Sequence, residues 1–152
     1  MEKTLRTHES KIRGIGLDIS KSMVSYYLDS IMTSYFNNHD VPPACVEDYF
    51  PQIMAMQRKL SVHGDENALK LAFEHILENP DVDTEAFAGD RYPYSNQEVR
   101  EIIRYAWKTL WPDANPLKPG GPPGVRLVEM PVEEWWRTST DQQTRDPRRE
   151  GR

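Results

Sequence analysis

The chain has 152 residues, 38% of them hydrophobic and 28% charged, and its formal net charge is −5. That length suits one ordinary domain with a single core, and no apolar run approaches a membrane span or a signal-peptide core, so no membrane partner and a cytoplasmic location are expected. Cys45 is the only cysteine, so no intrachain disulfide can form and a reducing compartment is the simpler expectation.

Charge is unevenly placed. Residues 1–37 carry five basic side chains (Lys3, Arg6, Lys11, Arg13, Lys21) against four acidic ones, whereas 38–152 carry fourteen against twenty. Within the less acidic N-terminal part, Gly14 supplies a small residue, Leu17 and Ile19 flank a turn, Ser20 can cap a helix, and Val24 and Leu28 point inward from it. Residues 10–29 thereby resemble a helix-turn-helix DNA-binding unit. In that unit a small residue sits where two helices touch, and exposed side chains of the second helix read base edges. Asp18 stands where such motifs usually carry Gly, and Arg13 where they carry an apolar residue. The resemblance implies that Lys21, Ser22, Ser25 and Tyr26 face bases and that Lys11 and Arg13 meet phosphate. So small a basic footprint implies weak binding of duplex DNA by a monomer, and hence an oligomer.

Two other readings of the same residues stay open. Residues 14–21 are also similar to the first strand of ribonuclease-H-like and actin-like folds. That similarity implies Asp18 at a metal or nucleotide site, and residues 23–28 as the second strand of a hairpin. The plainer reading is a core helix that starts at Ser20.

Further along, Val24, Leu28, Ile31 and Tyr35 recur at helical spacing, with Met23 and Tyr27 widening the stripe, and Asn37-Asn38 ends the helix. Val41-Pro42-Pro43 makes a stiff connection. A second helical region over 44–60 splits at Phe50, because Pro51 cannot donate its backbone hydrogen bond and opens a new piece instead. Asp65 can cap a third helix with Leu69, Ala72, Phe73, Ile76 and Leu77 on one side, stopped by Asn79-Pro80. After a loop over 81–94, Ser95 and Glu98 stand at capping-box spacing before Val99, Ile102, Ile103, Ala106 and Leu110. Residues 1–111 are thus expected to form an all-α domain, a compact bundle of about four helices. Its expected core is Val24, Leu28, Ile31, Ile53, Leu69, Phe73, Ile76, Val99, Ile103 and Leu110.

Residues 112–152 read as an extended arm. The Pro/Gly-rich stretch 112–124 is a linker, with Pro116 and Pro119 at PxxP spacing. Residues 125–130 alternate like a short strand, and a polar tail with five arginines over 137–152 reads as solvated chain. Trp135 and Trp136 need burial. Either they fold back onto the bundle, or they anchor a protein partner or a second copy.

The search for catalytic chemistry yields little. Asp81, Asp83 and Glu85 mimic the opening of a calcium loop, but Ala86 and Tyr92 stand where Gly and a bidentate Glu are needed. His75 lacks a second His at zinc-site spacing, and Cys45 reads as a small buried side chain. No catalytic residue, metal or cofactor is expected. The sequence therefore predicts a small non-enzymatic DNA-binding regulator or accessory protein. The alternative is an adaptor or inhibitor that binds another protein through its helical surface and the Trp-containing arm. A ribonuclease-H-like or actin-like fragment with Asp18 at the site comes third.

Overall fold

The computed structural model describes residues 17–87 and 93–144. Strand β1 (Leu17–Ser20) runs directly into helix α1 (Lys21–Phe36). Ser20 makes the switch: its backbone is extended, with φ −64° and ψ 126°, while its Oγ accepts a hydrogen bond from Met23 N at 3.0 Å. One amide that a first helical turn leaves unpaired is thereby satisfied. Along α1, Met23, Val24, Tyr27, Leu28, Ile31, Met32, Tyr35 and Phe36 are buried, a stripe wide enough to make this the central helix.

A 3₁₀ turn (Val46–Tyr49) leads into α2 (Phe50–His63), with Pro51 in its first turn. Gly64 ends α2 in the left-handed region, φ 71°, and donates its N–H to Leu60 O at 2.8 Å. Glycine adopts that conformation without a Cβ penalty, which lets the chain reverse into α3 (Glu66–Leu77). A second 3₁₀ turn (Glu85–Phe87) precedes α4 (Asn96–Leu110), which opens on the full capping box of Ser95 and Glu98. Arg100 ties α4 to α3. Its guanidinium donates to Ile76 O at 2.7 Å, Asn79 O at 3.1 Å and Val82 O at 2.8 Å, gathering the carbonyls of the last turn of α3 and of the turn that follows it.

The chain beyond α4 lies on this body. Gly121, with φ +77°, passes so close to α3 that an added Cβ would sit 3.1 Å from His75 Cα and 3.2 Å from Glu74 O. Strand β2 (Val125–Val128) then pairs with β1 in parallel, in the register Leu17↔Val125, Asp18↔Arg126, Ile19↔Leu127, Ser20↔Val128. Ser20 Oγ donates to Met130 O at 2.6 Å, and helix α5 (Val132–Thr144) follows.

The molecule is mostly helical, but a two-stranded parallel sheet joins residues near its two ends, so the all-α expectation is corrected. Nine of the ten expected core residues are buried; Leu110, at the last turn of α4, is only partly so. Residues 17–20, expected as the turn of a helix-turn-helix, form β1, because β2 supplies a backbone partner that lies 108 residues away and is invisible locally. Residues 23–28 are helix rather than the second strand of a hairpin: the Ser20 cap and the helical period of the apolar residues outweigh their β-branched and aromatic composition. Residues 132–144, expected as extended arm and, from 137, as solvated tail, are helix. Pro131 accepts the first-turn amides of Glu134 and Trp135, and Glu133 and Glu134 suit the positive end of the helix dipole. Cys45 is exposed rather than buried, held at the surface by the Pro42-Pro43 connection.

Candidate functional site

The reversal at Gly64 places Asp65 just ahead of α3, where the sequence predicts a helix cap. The backbone does this, Leu69 N donating to Asp65 O at 2.9 Å, but the Asp65 side chain caps nothing. It turns inward, 1% exposed. Its Oδ2 accepts Tyr27 Oη at 2.7 Å and Trp136 Nε1 at 2.8 Å, and its Oδ1 accepts Trp135 Nε1 at 2.9 Å. Three neutral donors from two elements thus converge on one buried carboxylate. A charge-assisted bond is roughly twice as strong as a neutral one, and an unsolvated carboxylate needs several to be tolerated.

Aromatic rings complete the cluster. Trp136 stacks on His63, centroids 3.9 Å apart and planes 8° from parallel, and meets Tyr26 edge-on at 5.1 Å. Tyr26 meets Tyr27 edge-on at 4.9 Å, and Lys59 Nζ lies 5.6 Å from the Tyr26 ring centroid. Burial first, and then the Asp65 hydrogen bond, push the Tyr27 hydroxyl well above the ordinary tyrosine range, so it stays a donor.

The residues singled out in the sequence fall as follows. Lys11 and Arg13, with the first helix of the expected helix-turn-helix, lie outside the described residues. Lys21 donates to Glu129 Oε2 at 3.0 Å in an exposed pair. Ser22 and Ser25 are half-buried on α1, and Tyr26 is half-buried beneath Trp136. Trp135 and Trp136 fold back onto the helical body. Asp18 and Arg126, register partners across the sheet, form a bidentate pair at 2.8 and 3.1 Å, so the Asp18 carboxylate is taken up by a guanidinium. No residue of α1 is fully exposed.

Beside Lys21 a hollow of about 350 Å³ opens between His75, Phe87, Leu127 and Glu129. Burial lowers the His75 imidazole below its ordinary value and keeps it neutral near pH 7. Among the described residues no group of three or more His, Cys, Asp or Glu is arranged to hold a metal ion. No helix among them is long and apolar enough to cross a membrane.

Sequence reasoning missed Asp65 as the hub, because an Asp before an apolar helix looks like a cap whichever way its carboxylate turns. The two consecutive indole N–H groups were the available signal, since buried indoles require acceptors.

Fold and cluster together define a helical domain closed by its own C-terminal arm. Compared with known protein families, curated proteins and solved structures, this chain matches none.

Proposed function

We propose that this protein is a non-enzymatic interaction module, an adaptor or inhibitor that binds another protein through its helical surface. The carrying observation is a set of exposed apolar side chains on an acidic body. Residues 17–87 and 93–144 hold nineteen acidic side chains against ten Lys and Arg, a formal balance of −9. Val62 is nevertheless 81% exposed, Val41 66%, Phe50 47% and Leu17 40%. Large apolar side chains set among polar ones are the usual content of a protein interface, and so strong an acidic balance repels a phosphate backbone.

The DNA-binding reading is the competitor. It places Lys21, Ser22, Ser25 and Tyr26 against bases, yet Lys21 is paired with Glu129 and Tyr26 lies under Trp136, whereas a recognition helix must project into a groove. Its remaining support is the basic character of residues 1–16, which hold Lys3, Arg6, Lys11 and Arg13. Titration of the full chain with random duplex DNA at low ionic strength separates the two. The interaction reading expects no saturable binding; affinity that falls steeply with added salt would overturn it in favour of DNA.

A further inference from the structure

Resting on that reading, we infer that the outer face of α2 docks an amphipathic, acidic helix of a partner protein. The inward side of α2 is fully used: Ile53, Met56 and Leu60 are buried, and the helix packs on α1 and α4. Facing away from them, Phe50, Met54, Arg58 and Val62 recur at intervals of four residues. Side chains spaced by four form one of the continuous ridges by which helices interdigitate. Here the ridge ends on two large exposed apolar side chains, Phe50 and Val62, 47% and 81% exposed. Beside it stands Ala55, half-buried and the smallest side chain of the neighbouring row.

Charge selects the partner. Residues 50–63 contain no Asp or Glu, and their formal charges are Arg58 and Lys59, in a body whose described residues balance at −9. Lys59 is engaged, its Nζ donating to Ser30 Oγ at 3.0 Å, which leaves Arg58 at the centre of the ridge. Phe, Met and Arg are residue types enriched in interfaces, and a guanidinium at the centre of an apolar strip favours a carboxylate opposite it. The chain's own segments 1–16 and 145–152 each carry four basic side chains against two acidic ones. They therefore lack the charge to cover this face. A second copy brings the same ridge, so a symmetric pairing sets Arg58 against the partner's Arg58 with no carboxylate from residues 50–63 to meet either. A separate helix with apolar residues along one side and Glu or Asp flanking them satisfies both the ridge and Arg58.

The test uses the full chain and a labelled synthetic helix with Leu at four-residue spacing and Glu at its flanks, alongside a twin carrying Lys in place of every Glu. The acidic peptide should bind saturably, shift the amide resonances of residues 50–62, and lose at least tenfold in affinity with Arg58→Glu or with Phe50→Ser combined with Val62→Ser. Because these side chains are exposed, the variants should melt with the parent, and circular dichroism confirms that they are folded. No binding of the acidic peptide, equal binding of the Lys twin, or shifts confined to other elements would overturn the inference while leaving the interaction module standing. Self-association in sedimentation that Phe50→Ser with Val62→Ser abolishes would assign the face to a second copy instead. Saturable duplex DNA binding would overturn the underlying reading.

Discussion

Replacing Asp65 by Asn keeps the shape of the side chain but removes the charge and exchanges one acceptor oxygen for an NH₂ group. Tyr27, Trp135 and Trp136 then compete for a single acceptor, and at least one indole N–H faces another donor. A hydrogen bond to a charged group contributes about 1.5–3 kcal/mol, and a buried donor left unpaired costs about 1–3 kcal/mol. Because Asn retains one good acceptor, the expected loss is about 3 kcal/mol rather than the sum of three bonds. For a chain of this size that is a fall of about 6–12 °C in melting temperature. Melting followed by circular dichroism at 222 nm reads it directly. Trp136→Phe, which removes the N–H and part of the ring but leaves an aromatic face toward His63, supplies the second corner of a double-mutant cycle. The two changes should be non-additive by about 1–2 kcal/mol, since they delete the same bond. An Asp65→Asn midpoint within about 2 °C of the parent, or strict additivity with Trp136→Phe, would refute the claim that this carboxylate holds the arm.

Three further outcomes are expected. Tyr27 and Tyr49 are both pushed above the ordinary tyrosine range, chiefly by burial and then by Asp65 and Tyr94 respectively. Each favours the protonated fold, so their contribution is complete below about pH 10 and is lost above it by up to about 1.4 kcal/mol per pH unit per tyrosine. Urea midpoints between pH 9 and 11.5 should show that slope, and Tyr49→Phe should reduce it by about half; an unchanged slope contradicts the assignment. Arg100→Met keeps the apolar stem but strips the donors from Ile76, Asn79 and Val82 carbonyls, and should lower stability by about 2 kcal/mol in urea titration, with Arg100→Lys restoring only part. Asp18→Asn breaks an exposed ion pair and should shift the melting temperature by no more than about 2 °C; a much larger loss would mean that Asp18 does more than pair with Arg126.

Local features of the sequence were readable wherever the chain obeys a single periodicity. The stripes of α1, α3 and α4, the Pro51 boundary and the Ser95–Glu98 box follow from neighbours a few residues apart. What could not be read depends on partners far along the chain. Residues 17–20 become a strand only because residues 125–128 lie alongside. Likewise Tyr26, which helical geometry alone leaves free to meet a ligand, is covered by an indole 110 positions later. Asp65 shows the limit most clearly: its backbone does what the sequence predicts, and its side chain answers to residues 38, 70 and 71 positions away.

The parallel pairing of β1 with β2 also bears on the order in which the chain assembles. Contacts spanning 108 residues carry a loop-closure cost that short-range helices do not, so β1 finds its partner late, after the helices between them have formed. During synthesis at about 5–20 residues per second, β1 waits roughly 5–20 seconds before β2 has even been polymerised. Throughout that interval Leu17 and Ile19 present an unpaired strand edge, and Tyr27 and Asp65 have no indoles to meet. The nascent chain is therefore most exposed to wrong partners until residues 125–136 arrive, and the two tryptophans report the moment at which that exposure ends.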